Sequence, residues 1–339
     1  MKILRYIALI TYHLSLITSL HAQDPSFSQF FSSPLNVNPA LTANINSDWR
    51  AISNYRSQWI GAASPYVTGT ISYDTKILQN KNAFIEENNY LGFGGMLMFD
   101  RGMGGVAKST FASLNLSYNI KLVDGDTKHR LGIGFGATYG KRTVDYSRLN
   151  FEEQYTGSGF NTNLPTGETA LSDMKGFISV NTGLTYTINS ANSNFDIGIA
   201  AFHVNTPKQT FLQDPKEDLA IRKVAHADFE TFLNDRTILF ANTIFQQQRS
   251  ATYFSIGGGL GYYLGDDKGP ILNGGIWYWK ENGIIPYVGL AINNFQFGLT
   301  YDITTNKLSQ SAQKPSSVEI SLIFRGSRKV SKSIPCPWF

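Results

Sequence analysis

Side chains that commonly carry catalysis or bind metals are few in this chain of 339 residues. After the first 22 residues, the histidines are His129, His203 and His226. None of them lies four residues from another, as in a helical metal site, or beside the glycine-flanked serine of a hydrolase. Cys336 lies between two prolines, where a packed nucleophile is not expected. The sequence therefore predicts no enzyme, no metal site and no cofactor.

Glycine-rich stretches could in principle hold phosphates. The densest are at 92–95, 132–136 and 257–261. A dinucleotide-binding motif needs a strand, a glycine loop and then a helix. Here the glycines alternate with larger residues, and no amphipathic helix follows. They are more typical of strand glycines, which allow tight curvature or close approach of another backbone.

The elements that position these residues are predicted to be strands. From Ala112 to Leu122, apolar residues fill the even positions, and serine, asparagine and lysine fill the odd ones. A period of two over this length indicates a strand that can cross a membrane. About fourteen such segments follow one another, near 48–58, 64–76, 89–101, 107–122, 129–142, 173–188, 193–204, 220–232, 236–249, 252–264, 270–280, 284–292, 295–304 and 317–325.

Together these segments predict one closed sheet. Single-chain bacterial outer-membrane barrels have an even number of strands. An open sheet edge in hydrocarbon would cost several kcal/mol for each unpaired backbone group. The predicted fold class is all-β, a transmembrane antiparallel β-barrel of about 14 strands over residues 48–325, with outer-membrane lipid around its apolar face. A soluble β-sandwich also alternates, but its strands are shorter, about five or six residues. Polar-face carboxylates such as Asp302 and Glu319 are expected to pair or to meet water in the lumen.

The N-terminus has the pattern of a secretory signal. Lys2 and Arg5 precede an apolar stretch, and a small residue, Ala22, stands before Gln23 at the expected cleavage point. This predicts a signal peptide over residues 1–22. The two basic residues account for half of the formal charge of +4. The remaining chain is too weakly charged to suggest nucleic acid as a partner.

Residues 23–47 are predicted to form an N-terminal periplasmic or plug segment. The stretch is rich in Phe, Ser, Asn and Pro and lacks strand alternation. Such a segment can fold back into the barrel mouth. The alternative is a flexible leader, because chain ends are often poorly ordered. The candidate plug residues are Phe27, Phe30, Phe31, Pro34, Asn38 and Pro39.

Connection lengths predict an orientation. Outer-membrane barrels have short periplasmic turns and longer external loops. The long predicted connections, at 143–172, 205–219 and 305–316, all fall on one side when the N-terminus is placed in the periplasm. The connection near 77–88 is long yet predicted to be periplasmic. The barrel is then followed by a periplasmic C-terminal tail at 326–339, which puts both termini in the periplasm of an integral outer-membrane protein.

Several stretches resemble the PorP/SprF family of the type IX secretion system of Bacteroidetes-type bacteria. Residues 23–41 resemble the start of the mature family proteins, and residues 54–59, with 72–74 after them, resemble the first hairpin. Residues 298–303 and 318–322 are similar to the last hairpin, and 335–339 to a Cys-Pro-containing tail. The middle of the chain matches only in architecture. Within these stretches, the motif residues of unknown role are Tyr55, Arg56, Gln58, Trp59, Asp302 and Cys336.

The resemblance implies a non-enzymatic barrel that serves protein secretion and, in gliding bacteria, the export of surface adhesins. Implied partners are the C-terminal domain of a secreted cargo protein, the periplasmic ring and a peptidoglycan-binding component of the machine. Two positions depart from the family pattern: Asn306 stands where serine is expected, and Trp338 where a basic residue is common.

Three functions remain open, the first of them from the resemblance. The first is a protein-binding component, whose surface would be the external loops 143–172 and 205–219 or the periplasmic turns and tail. The second is a transporter or porin for small or hydrophobic solutes, since a barrel of about 14 strands has room for a path or a plug. The third is an outer-membrane lipid hydrolase, which would need a spatial Ser–His–acid arrangement.

Overall fold

The computed structural model describes residues 24–61, 64–79, 89–123, 125–167, 174–209, 218–265, 269–280, 282–306, 309 and 314–326. Fourteen strands dominate this part of the chain. They are β1 Trp49–Ile60, β2 Tyr66–Gln79, β3 Tyr90–Gly102, β4 Ala107–Val123, β5 Lys128–Val144, β6 Phe177–Asn189, β7 Ser193–Phe202, β8 Arg222–Asn234, β9 Thr237–Gln248, β10 Ala251–Tyr263, β11 Ile271–Trp279, β12 Gly283–Ile292, β13 Phe295–Thr304 and β14 Ser316–Gly326.

The helical elements in these ranges are single turns. The α-helical turn is Pro34–Val37, and the 3₁₀ turns are Phe30–Ser32, Pro39–Leu41, Met103–Gly105, Tyr146–Arg148 and Glu152–Gln154. No helix within the described ranges has the length and apolar character needed to cross a membrane.

Each strand pairs with its sequence neighbours in antiparallel fashion, and β1 pairs with β14 to close the barrel. At this seam Arg56 stands directly opposite Glu319. Closure gives every strand two partners, so no sheet edge is left unpaired in hydrocarbon. The predicted fold, a 14-stranded antiparallel barrel, is confirmed. The largest boundary difference is at β6, which begins at Phe177 instead of near 173.

The period-two alternation separates two faces of the wall. In β4, Leu114 and Leu116 are exposed on the outside, whereas Ser113, Asn115 and Ser117 are buried on the inside. The outer face is therefore apolar and the inner face polar, as expected where lipid surrounds a polar interior.

The two ends of the barrel differ. One end, the long-loop mouth, carries the connections 145–176, 203–221 and 305–315. The other, the short-turn mouth, carries the turns 190–192 and 235–236, with further short turns beside them. This asymmetry is the one that the sequence predicts. Residues 80–88, in the unusually long predicted periplasmic connection, lie outside the described residues.

Residues 24–48 thread through the barrel from one mouth to the other. Asp24 contacts His203 at the long-loop mouth. The Asp48 N–H donates to the Gly326 carbonyl at the short-turn mouth, at 2.9 Å. The chain termini themselves, residues 1–23 and 327–339, lie outside the described residues. Asp24 and Gly326, the first and last described residues, lie at opposite mouths, because the N-terminal stretch finds partners along the whole inner wall. The location of both chain ends in the periplasm stays a prediction.

Candidate functional site in the barrel lumen

Residues 24–45, here called the luminal segment, are built from consecutive short turns. Pro34 and Pro39 each begin one, where a fixed φ suits the first turn and the missing N–H has no cost. The Asn38 side chain accepts a hydrogen bond from the Ala40 N–H at 2.9 Å, which caps the last turn. Because prolines and caps interrupt the backbone, the segment cannot join the sheet as a strand and depends on the wall for partners.

A carboxylate at the barrel seam holds the start of the segment. Glu319 on β14 accepts the backbone N–H groups of Ser28 at 2.8 Å and Gln29 at 2.9 Å, one on each oxygen. The Ser28 hydroxyl donates to Asp302 on β13 at 2.7 Å. Hydrogen bonds to a charged group contribute about 1.5–3 kcal/mol each. These contacts fix the segment against the last two strands.

Arg56 completes this anchor from the first strand. Its guanidinium pairs with Asp302 at 2.9 Å and lies 3.9 Å from Glu319. It also donates to the Ser26 carbonyl and lies over the Trp279 ring, 5.2 Å from its centroid. The Arg56 side chain is 1% exposed. Removing one partner of a buried ion pair costs about 3–5 kcal/mol, since the other charge loses its compensation.

An aromatic cluster receives the middle of the segment. Phe31 packs on Trp277 with 4.8 Å between ring centroids and meets Tyr287 edge-on at 5.8 Å. The Trp277 indole N–H donates to Asn242 at 2.6 Å, so its polar end is satisfied. The Phe30 ring lies edge-on to Phe31 at 5.4 Å. This cluster replaces water in the barrel core with apolar contacts.

Wall glycines make room for the segment on the opposite side. A Cβ at Gly134 would lie 2.1 Å from the Ala40 nitrogen, and one at Gly183 would lie 1.9 Å from the Asn38 side-chain oxygen. The Asn38 amide donates to the carbonyls of two neighbouring strands, β6 and β7, at 3.0 and 3.2 Å. Gly134, in the glycine-rich stretch 132–136, therefore allows close backbone approach, one of the two roles predicted for these glycines.

The inner end of the segment is held at the short-turn mouth. The Ala43 N–H donates to Asp74 at 2.7 Å, and Asp74 pairs with Arg50 at 2.8 Å. The Asn44 amide donates to Asp196 at 2.9 Å. Both carboxylates face the lumen and are fully buried. The segment is thus fixed by charged groups at both ends.

At the long-loop mouth, Asp24 forms a second ionic contact. Its carboxylate lies 2.5 Å from His203 Nε2 and 3.3 Å from Arg222 Nε. Burial alone would raise the pKa of the Asp24 carboxyl, but His203 and Arg222 together hold it well below the usual range. Asp24 is therefore ionised at neutral pH.

This contact also forms a Ser–His–Asp arrangement that sequence spacing could not reveal. Ser179 Oγ lies 2.7 Å from His203 Nδ1, with Asp24 on the other ring nitrogen. Serine hydrolases use the two nitrogens the other way round, with the serine on Nε2. The Ser179 side chain is fully buried and also donates to Asn181 at 3.1 Å. The geometry is suited to fixing Asp24 and offers no access for a substrate carbonyl.

One group in the described ranges has the composition of a metal site. Cross-strand pairing places Asp196 opposite Asp228, and both lie near His226 Nδ1, at 3.7 and 3.2 Å. The three ligand atoms lie within 4.8 Å of one another. However, His226 Nε2 faces the amide nitrogen of Asn38 at 3.1 Å, and an amide nitrogen can only donate. Nδ1 then carries the proton and donates to Asp228 at 3.2 Å, which disfavours a metal ion there.

The candidate plug residues are all buried inside the barrel: Phe27, Phe30, Phe31, Pro34, Asn38 and Pro39. Two cavities beside the segment have a volume of about 20 Å³ each, enough for about one water molecule. Whether the segment blocks solute flow stays a prediction.

The family-motif residues fall on different faces. Arg56 and Asp302 point inward and pair with each other. Tyr55 points outward and is exposed, and Trp59 packs edge-on against Tyr66 at 5.1 Å. Gln58 is half-buried beside a β-bulge. Ala22, Gln23 and Cys336 lie outside the described residues. Sequence reasoning missed Asp24, Asp74 and Asp196 as anchors; their only signal was an acidic residue at an inward or N-terminal position.

Comparison with known proteins gives the family. The family model described as "Type IX secretion system membrane protein PorP/SprF" matches residues 19–324. No curated protein matches the chain. The fold is similar to that of the TodX deltaS2S3 mutant, described as a monoaromatic hydrocarbon channel, with a TM-score of 0.50, 10% identity, and coverage of 85% of this chain and 92% of that one.

Two further solved structures are similar. The toluene transporter TbuX of Ralstonia pickettii has a TM-score of 0.44 and 11% identity, with coverage of 87% of this chain and 94% of its own. The toluene transporter TodX of Pseudomonas putida has a TM-score of 0.47 and 10% identity, with coverage of 86% and 92%. At this identity the likeness concerns the fold alone. The family match over most of the chain, together with the closed barrel, shows that this chain belongs to the PorP/SprF family of type IX secretion system membrane proteins and is an integral outer-membrane barrel.

Proposed function

We propose that this protein is a non-enzymatic component of type IX secretion that acts by binding other proteins, with a lumen closed by its own N-terminal segment. The observation that carries this proposal is the luminal segment, which contacts the wall from Asp24 at one mouth to Asn44 at the other. Charged wall groups that could line a solute path are instead bonded to it. The function then resides on the surfaces at the two mouths.

The long-loop mouth offers a surface suited to a secreted cargo protein. Tyr155 and Phe160 form an isolated bridge, with 5.2 Å between their ring centroids, and both are more than half exposed. Gln154 beneath them is buried and donates to the Leu164 carbonyl at 3.0 Å, which fixes the loop. A rigid, exposed aromatic pair is typical of a protein-binding surface.

The cargo would be recognised through its C-terminal domain, and in gliding bacteria it would include surface adhesins. In this arrangement the long-loop mouth faces outward. The short-turn mouth then faces the periplasm, where the ring and a peptidoglycan-binding component of the machine would dock. The orientation is testable by attaching a biotin acceptor peptide in the loop 145–167 and labelling intact cells.

The deciding experiment is an affinity purification of the tagged protein from detergent-solubilised outer membrane. We expect one secreted protein with a type IX C-terminal domain to co-purify, together with ring components. The double variant Tyr155→Ala and Phe160→Ala should lose the cargo and retain the ring, whereas Ser158→Ala on the same loop should behave as the parent does. Recovery of cargo at parental levels with the double variant would refute the loop assignment.

The second candidate function is a transporter or porin for small or hydrophobic solutes. The barrel size permits it, and one structure of similar fold is described as a hydrocarbon channel. Planar-bilayer recordings separate the two functions. The proposal predicts no steady conductance for the parent protein. Steady, solute-selective conductance with no co-purifying cargo would favour the transporter.

A further inference from the structure

Three basic side chains lie together on the lipid-facing side of the wall at the long-loop mouth. Arg101 on β3 stands directly opposite Lys108 on β4. Lys141 on β5 stands opposite Thr110, one row further into the membrane. All three basic side chains are exposed. Directly opposed residues have Cβ atoms about 5 Å apart, and diagonal neighbours are about 7–8 Å apart. One anionic group could therefore contact all three.

No carboxylate within the described ranges pairs with these residues. Neither an ion pair nor a hydrogen bond from the side chains of Arg101, Lys108 or Lys141 occurs there. Like charges placed directly opposite on a sheet destabilise it. Contacts within the described ranges therefore do not compensate these three positive charges, and an anion from outside the chain would do so.

Directly below the basic residues, the outer wall has an apolar groove. Its floor consists of Gly95, Ala112 and Ala137, three small residues in adjacent strands. Its sides consist of larger residues, among them Tyr73, Leu97, Leu114, Tyr139 and Ile178. The groove has a volume of about 630 Å³.

The groove and the basic residues belong to one continuous surface. Leu97 on the groove wall lies four residues from Arg101 on the same strand, or about 13 Å at 3.3 Å per residue. Ala112 lies four residues from Lys108 in the same direction. A ligand with an anionic head and an apolar chain would therefore reach both.

We propose that this surface is a binding site for a phosphorylated glycolipid of the outer leaflet. A phosphate of the sugar headgroup contacts Arg101, Lys108 and Lys141, and one acyl chain lies in the groove over Ala112 and Ala137. A phosphate offers several acceptor oxygens to a planar guanidinium and to two ammonium groups. Charge complementarity at one end of an apolar groove selects this occupant over a neutral lipid or an apolar protein helix.

The test uses native mass spectrometry of the purified full chain in detergent, with lipid A carrying both phosphates as the probe. The triple variant Arg101→Gln, Lys108→Gln and Lys141→Gln should bind roughly 100-fold more weakly, since each basic residue at a membrane surface contributes about a factor of five. Lys223→Gln is the matched control, because Lys223 is a single exposed, outward-facing residue at the same mouth. It should bind as the parent does.

Further measurements test the contributions of the lipid headgroup and of the acyl chain separately. Ala112→Phe, which fills the groove floor, should weaken lipid A binding while the basic residues remain intact. Lipid A without phosphates should bind as weakly as the triple variant. Equal binding by the parent and the folded triple variant would overturn the proposal. Equal affinity for phosphatidylglycerol, or displacement of lipid A by millimolar inorganic phosphate, would also overturn it.

Discussion

Replacing Glu319 by glutamine removes the charge that holds the start of the luminal segment. Two backbone N–H groups, from Ser28 and Gln29, donate to the two carboxylate oxygens at 2.8 and 2.9 Å. The glutamine amide offers one oxygen and one NH₂ group, so one of these N–H groups would face another donor. Glu319→Gln keeps the size of the side chain and tests the charge alone.

The loss of docking free energy in Glu319→Gln follows from these contacts. One charge-assisted hydrogen bond is lost and the other becomes neutral, which together cost about 2–4 kcal/mol. Arg56 keeps its closer partner Asp302 at 2.9 Å, so the full cost of an orphaned buried charge does not apply. At about 1.4 kcal/mol per factor of ten, undocking of the segment should become roughly 30- to 1000-fold more frequent.

Thiol labelling measures this undocking. Ser33 is a suitable reporter, because it is buried in the segment and its side chain is not used in a hydrogen bond within the described ranges. In a Cys336→Ser background, Ser33→Cys should react slowly with a water-soluble maleimide. Adding Glu319→Gln should accelerate the reaction by the factor above, if labelling is limited by the open population.

The control is Asp100→Asn. Asp100 is also an inward wall carboxylate, but its hydrogen-bond partner is Thr68 at 2.7 Å and it does not contact the segment. Labelling of Ser33→Cys should be unchanged in this variant. Equal rates for Glu319→Gln and the parent, or a parent that reacts as fast as urea-unfolded protein, would refute the docking of the segment by this carboxylate.

Three other predictions test the membrane face, the wall glycines and the mouth. Leu116→Arg should lower the free energy of unfolding in vesicles by about 2–4 kcal/mol if it faces mid-membrane, and Thr110→Arg near the rim by about 1 kcal/mol or less; equal losses would refute the depth assignment. Gly183→Ala should undock the segment and raise ion conductance, because the added carbon would lie 1.9 Å from it, whereas Gly265→Ala meets nothing within 4 Å and should not. Because the pKa of Asp24 is lowered, its contribution to docking should be complete above about pH 4–5 and lost as the pH falls through its folded pKa; fluorescence of Trp277, which packs on Phe31 of the segment, follows docking in acid, where thiol labelling fails for lack of thiolate, and an Asp24→Asn variant with the same acid response as the parent would contradict this.

Much of the barrel wall could be predicted from the sequence because the alternation of apolar and polar residues depends only on neighbouring positions in the chain. Alternation in β4 follows from one apolar and one polar side of a strand, and it is visible in any short window. Closure of the barrel follows once hydrocarbon forbids an open edge. The period-two pattern is a strong indication of a barrel because each of the fourteen strands repeats it.

The path of the luminal segment was not predictable in the same way. Its turns have no period, and its partners, such as Glu319 and Asp74, are distant in sequence. Ser117 shows the same limit: alternation alone marks it as a polar inward residue, but in the structure its hydroxyl donates to the Thr42 carbonyl at 2.6 Å. The Asp196–Asp228 pair likewise depends on strand register, which no local pattern fixes.

The anchor at the seam has a consequence for how the barrel assembles. Ser28 and Glu319 are separated by 291 positions in the chain, and bringing them together costs about 5 kcal/mol of loop-closure entropy. Pairing of β1 with β14 meets the same cost, since Arg56 and Glu319 face each other across it. Once β1 and β14 have paired, docking of the segment costs little further loop-closure entropy. While the seam is open, Glu319 lacks both its cation and its backbone donors. Docking of the luminal segment and closure of the barrel should therefore occur as one cooperative step late in folding. The first thirty residues of the exported chain and its last strand should then reach their final structure together.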